Sequence, residues 1–315
     1  MLLSALAWPM EKIAARLVAD EGGVDFTQPP GEPAIVPPDS VSWQVFRNPV
    51  TMFVGGVAAV LMELGEPRVR TAVWNQSSFR RDPAGRLRRT GMAAMVTVYG
   101  ARSSLETLTA RVRGMHGRIR GTTPGGEAYR ANDPELLRWV QATAAFAFME
   151  AYRAYVRPVP AADRDRYYAE GAAGGALYGV RDVPGSEAEI MGMIAEMRPR
   201  LEPSPILGEL MDIVADAEIL PLPFRPVQRT VVRAAVDLLP PDLRAALGLR
   251  GQLLAPERLL LRTLARTADA AAFPGSPAAQ ACVRLGLPAD YLVRAGAVSR
   301  TARPGSAGSR EAGRR

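Results

Sequence analysis

The sequence predicts an all-α protein, one large helical domain between a proline-rich N-terminal arm and a basic tail. Apolar residues recur at helical spacing along most of the chain, whereas alternating apolar/polar runs rich in β-branched residues hardly occur. Two Asp-Pro pairs, Asp82-Pro83 and Asp133-Pro134, each place an N-cap residue before a proline at the first helical position. Prolines at 199, 203, 205, 221, 223, 226, 240 and 241 divide the C-terminal half into helix-length pieces. The boundaries that follow are an N-terminal helix and arm over 1–44, a helical domain over 45–298, and a disordered tail over 299–315.

The elements follow in order. Residues 24–40 (VDFTQPPGEPAIVPPDS) hold five prolines and read as an extended arm. Residues 50–64 are apolar almost all round, which predicts a central helix. A helix runs from Asp82-Pro83 to Tyr99 and stops at Gly100. The next, capped by Ser103 or Ser104, carries Leu105, Leu108, Val112, Met115 and Ile119 on one face and ends at Gly121. After the loop TTPGGEAYRAN, Asp133-Pro134 starts a long helix to about Val156. Further helices are expected at 161–172, 186–198, 205–218, 227–239, 255–269, 276–285 and 288–296. No repeat at a solenoid period is present.

Composition narrows the function classes. The formal net charge is +7, but residues 299–315 hold five arginines and one glutamate. The body is therefore nearly balanced, and no nucleic-acid partner is expected. The tail is the part that can steer the chain to an anionic surface. A lone cysteine, Cys282, rules out an internal disulfide or a cysteine-cluster metal site. No secretory leader is legible, and the longest apolar run, 50–62, is too short for an ordinary spanning helix. A soluble, cytoplasmic protein without a transmembrane segment is expected; the oligomeric state is not legible.

The chain has one histidine, His116. A single imidazole excludes His-pair zinc chemistry, and no G-x-S-x-G elbow is present for a Ser-His-Asp hydrolase. A lone histidine serves either as a hydrogen-bonded core residue or as a single axial donor to haem iron. Arg86 and Thr90 in GRLRRT lie one turn apart and share a helix face. Arg86 there forms either a surface ion pair with Asp82 or one wall of a polar pocket. Glu63 and Glu66, near the end of the central apolar helix, are candidates for a general base. For Glu66 a helix end reaching solvent is the simpler reading, Tyr129 reads as a packed, hydrogen-bonded residue, and Asp133 as a helix cap.

Four segments in order, WNQSSFRRDPAGRLRRT, VYG, ARVRGMHGRIRGTTPGGEAYRANDPELLRWVQATAAF and AYVRPVPAADRDRYYAEG, resemble the MpaB and latex-clearing protein family over roughly residues 45–250. The resemblance implies a globin-related helical core, haem b as cofactor, and oxidation of a hydrophobic, isoprenoid-like substrate with O2 or peroxide. It assigns His116 as the proximal haem ligand and Arg86 with Thr90 as walls of the haem pocket. Many relatives carry histidine where this chain has Gln76 and Gln141, which become candidate pocket residues. A histidine-proline pair of relatives is here Glu66-Pro67. The lysine that caps iron in latex-clearing relatives falls at about Arg89, and arginine does not deprotonate to ligate iron. Two alternatives stand beside an oxygenase: a non-catalytic haem-binding or sensing protein, and a haem-free helical binder of lipid-like ligands.

Overall fold

The computed structural model describes residues 24–220 and 225–301, and over these the chain is all-α. The N-terminal helix expected before residue 24 and the tail from 302 onward lie outside the described residues.

Asn48 caps helix α2 (Pro49–Glu63), accepting from the Val50 and Thr51 N–H groups, after the short α1 (Val41–Phe46). Glu66 caps α3 (Pro67–Gln76), Asp82 caps α4 (Pro83–Tyr99), and α5 spans Arg102–His116. A two-stranded antiparallel hairpin, β1 (Arg120–Thr122) and β2 (Ala128–Arg130), pairs Gly121 with Tyr129. Then follow α6 (Pro134–Tyr155), α7 (Ala161–Tyr178), α8 (Glu187–Met197), a 3-10 turn (Arg198–Arg200), α9 (Pro205–Asp216), α10 (Arg225–Leu238), α11 (Pro241–Ala246), α12 (Ala255–Ala270), α13 (Pro277–Arg284) and α14 (Tyr291–Thr301).

Helices α2 and α6 form the centre, and α10 and α12 pack against them. Their closest approach depends on Gly55, where a Cβ would lie 2.8 Å from the Phe148 ring and 3.0 Å from the Ala147 carbonyl oxygen. Val54, Ala58, Leu61, Trp139, Ala142 and Met149 fill this seam, all buried. A second buried cluster joins the proline-rich arm to α4 and α13 through Phe26, Val36, Trp43, Tyr99 and Cys282. The arm is thus part of the core: Arg284 donates to the carbonyls of Phe26, Glu32 and Tyr99.

The structure departs from the sequence expectations at specific places. Helix α5 starts ahead of the serines, because Glu32 of the arm accepts from the Ser103 N–H at 2.6 Å and from its hydroxyl at 2.9 Å. It also stops at His116 with Gly117 as C-cap, and Gly121 belongs to the hairpin. Helix α7 continues through its glycines to Tyr178. Gly175 is needed there, since a Cβ would lie 2.8 Å from Val183, and Gly179 ends the helix at φ +91°. The short α1, α3 and α11 carry too few turns to leave a clear period. Met115 is 53% exposed, off the inward stripe of Leu105, Thr109, Val112 and His116. Among the described residues no single helix is long and apolar enough to cross a membrane; only the bent pair α2 and α3, at 111°, meets that test together.

Candidate functional site

Three charged or titratable side chains from three helices come within electrostatic reach of one another through Arg86, which acts on both Glu63 and His116. His116 ends α5, Arg86 lies in the first turn of α4, and Glu63 ends α2. Each keeps intermediate exposure, and burial is the largest influence on the pKa of all three, disfavouring the charged form in each case. Burial pushes the Glu63 carboxyl up to about 7, against the downward pull of the Arg86 guanidinium. Burial lowers the pKa of Arg86, which Glu63 raises. It also lowers that of His116, and the positive charge of Arg86 adds to the effect. Near neutral pH the imidazole is therefore neutral, the form that can ligate a metal.

Neither the His116 ring nor the Glu63 carboxyl has a hydrogen-bond partner among the described residues. Arg86 does: its Nη1 donates to the Thr90 hydroxyl at 2.7 Å, and that hydroxyl donates to the Arg86 carbonyl at 2.9 Å. The ion pair between Arg86 and Asp82 does not form. Asp82 accepts from the Gly85 N–H and from Arg89 Nη1, whose Nη2 donates to Ser78. Arg89, at the capping-lysine position of relatives, is thereby held at the helix start.

The two candidate carboxylates separate. Glu63 is within electrostatic reach of Arg86, whereas Glu66 is 1% exposed, accepting from the Val69 N–H and from Arg68. Glu66 is a buried helix cap, so the expectation of a helix end reaching solvent fails for it. Its carboxylate has to serve the first turn of α3 and Arg68, and packing takes it inside. Asp133 caps α6 as expected, accepting from the Glu135 N–H.

The two glutamines also diverge. Gln76 donates to the Arg120 carbonyl at 3.1 Å and to the buried Tyr129 hydroxyl at 2.9 Å, tying α3 to the hairpin. Gln141 lines a hollow of about 140 Å³ between α1, α4, α6 and α7, with Ala94, Thr97, Ala144, Phe148 and Tyr178. At 100° per residue, Arg86, Thr90, Ala94 and Thr97 fall on one side of α4. One helix face therefore carries Arg86 and Thr90 at its start and, further along, Ala94 and Thr97 in the wall of this mostly apolar hollow. The polar pair in its wall, Thr97 and Tyr178, lies 3.1 Å apart; Thr97 escaped sequence reading although it continues the Arg86–Thr90 stripe.

Among the described residues no three His, Cys, Asp or Glu side chains converge as a cage for a bare metal ion. A prosthetic group that needs one axial imidazole is what this donor set suits: a neutral, half-buried ring with free nitrogens, beside a guanidinium able to pair with a carboxylate.

Residues 43–270 match the family described as ER-bound oxygenase mpaB/B'/Rubber oxygenase, catalytic domain. No curated protein and no solved structure gives a significant match.

Proposed function

Because the chain belongs to this mpaB/rubber oxygenase catalytic-domain family, we propose that it is a haem-b-dependent oxygenase of a hydrophobic, isoprenoid-like substrate, with His116 as the proximal ligand. The observation that supports the reading is the electrostatic proximity of Arg86 to both His116 and Glu63, with the imidazole neutral and without a hydrogen-bond partner among the described residues. Bound haem supplies the oxidation of substrate by O2 or peroxide.

The residues of the chain do the rest. His116 presents a neutral nitrogen, fixed at the end of α5 by the turn in which the Ile119 N–H bonds to its carbonyl. Arg86, braced by Thr90, holds an anionic group, either a propionate or the oxygen species, and the Thr90 hydroxyl is a second polar contact beside it. Glu63 titrates near neutral pH, so its carboxyl holds a proton at one oxygen and can release it. Ala94, Ala144 and Phe148 give the hollow a surface that takes one end of an apolar chain and excludes water. Gln141 and Thr97 can hydrogen-bond a substrate oxygen, but neither shuttles protons near pH 7.

The test is a visible spectrum of the purified chain after haem supplementation, repeated with His116→Ala. A Soret band that the variant loses or shifts assigns the ligand, and an apolar substrate should then perturb the spectrum. A chain that stays colourless with added haem would overturn the oxygenase reading and leave a helical binder of lipid-like ligands.

A further inference from the structure

Six large apolar side chains stand exposed among the described residues, and three of them fall within one seven-residue stretch: Leu254 at 64%, Leu259 at 67% and Leu260 at 43%. Single exposed leucines are ordinary on a soluble surface; three together at the start of one helix are not. The inner face of α12 is fully used, with Leu261, Ala265 and Ala268 in the core. Leu259 points the other way, and at 100° per residue Arg262 and Arg266 follow it on the outer side.

The charge around them that has no carboxylate partner is of one sign. Residues 248–266 hold Arg250, Arg258, Arg262 and Arg266 against a single acid, Glu257. That acid is taken by Arg233. Arg258 pairs with Asp237 at 2.7 Å. Arg262 and Arg266 meet no carboxylate: their Nε atoms donate to the Ala154 and Val156 carbonyls at the end of α6, at 3.1 and 3.2 Å. Arg250 has no polar partner among the described residues and lines a second hollow, of about 290 Å³, whose walls include Met211, Val232, Val236 and Leu249. The same end of α6 holds α14, since Arg157 donates to the Gly296 carbonyl at 3.4 Å. Residues 302–315, which follow α14 in the sequence, hold four arginines and one glutamate.

We propose that the 250–266 segment is a docking face for an anionic lipid bilayer, with Leu254, Leu259 and Leu260 entering the interface and Arg250, Arg262 and Arg266 meeting the headgroups. Apolar side chains ringed by arginines without carboxylate partners suit a surface that is negative outside and apolar beneath. A protein partner of matching shape would also cover the leucines, but the one-signed charge of both face and tail favours the anionic bilayer. The inference does not depend on haem or on catalysis.

Sedimentation of the full-length chain with phosphatidylcholine vesicles, with and without phosphatidylserine, tests it. Binding is expected only with phosphatidylserine and should weaken as salt rises. The double variant Leu254→Asp/Leu259→Asp should lower the partition coefficient by at least about tenfold, with an unchanged helical circular-dichroism spectrum. Arg250→Gln, at an exposed position without a structural partner, should lower it by a smaller factor. Binding that is equal in the double variant and the parent would assign attraction to the tail alone and overturn the proposal. Absence of vesicle binding would overturn it too, as would a parent dimer that the leucine variant converts to monomer without vesicle binding; that result would make the face a protein interface.

Discussion

The Arg86 guanidinium donates to the Thr90 hydroxyl at 2.7 Å, one turn along its own helix, and leaves Asp82 to Arg89. Its charge is thereby not spent on the Asp82 carboxylate; it opposes the rise of the Glu63 pKa and adds to the lowering of that of His116.

Removing that charge should be readable at the only histidine of the chain. In haem-free protein, the single imidazole signal in an NMR titration should give a pKa below the ordinary histidine value of 6.5. In Arg86→Gln it should move upward, because the repulsion is lost while the burial remains. An unchanged midpoint would mean that the guanidinium does not act on the imidazole.

Glu63 gives stability an unusual dependence on pH. Its folded pKa of about 7 lies above the ordinary 4.5, so between these values the folded chain retains a proton that the unfolded chain has released. The contribution of Glu63 is full below about pH 4.5, declines as pH rises, and is lost above about 7. His116 acts in the opposite sense: its folded pKa is depressed, so its contribution is lost as pH falls below 6.5. Glu63→Gln should gain about 1–2 kcal/mol at pH 8 after allowance for partial exposure, and almost nothing at pH 5. Urea denaturation at the two pH values checks this; equal gains at both would sink the assignment.

Deep in the fold, Arg47 pairs with Asp269 at 2.8 Å, both side chains nearly inaccessible. Asp269→Ala leaves the Arg47 charge without its carboxylate and should cost about 3 kcal/mol or more. Arg47→Met/Asp269→Leu, which removes both charges, should cost less than the single change. Denaturant melts of the three chains separate the two outcomes, and a double variant as unstable as Asp269→Ala would argue against a desolvated pair.

Much of this was legible where a local rule was not contested. Asp82-Pro83 and Asp133-Pro134 start their helices as read, because both the cap and the proline act within one turn. The Arg86–Thr90 face was legible from spacing, and it is made. The start of α5 was not, since the Ser103 N–H is satisfied by Glu32, 71 positions earlier in the sequence. Helix α3 has the same grammar as α4, but with glutamate in the cap, a weak signal for a start. Helix α7, expected to end at 172, continues to Tyr178, and Gly175 within it permits a close approach of Val183. Glu63 and Glu66 are indistinguishable by composition; which of them comes near Arg86 and which caps the next helix depends on how the chain turns between α2 and α3. Gln76, placed by resemblance in the pocket, instead ties a hairpin the sequence did not announce.

The hollow beside Gln141 makes the last prediction specific to substrate rather than cofactor. Ala144 and Ala94 line it from facing helices, and Phe148 closes one side. Ala144→Leu adds bulk inside about 140 Å³ of space without touching His116, Arg86 or Glu63. Overpacking of this kind costs typically about 1–3 kcal/mol where no space exists and much less where a hollow receives it. The variant should therefore keep its melting temperature and its Soret band but lose the spectral shift on substrate addition, with turnover down about tenfold or more. Loss of the Soret band would put the prosthetic group itself in the hollow. An unaltered substrate response would move the apolar site elsewhere along α4.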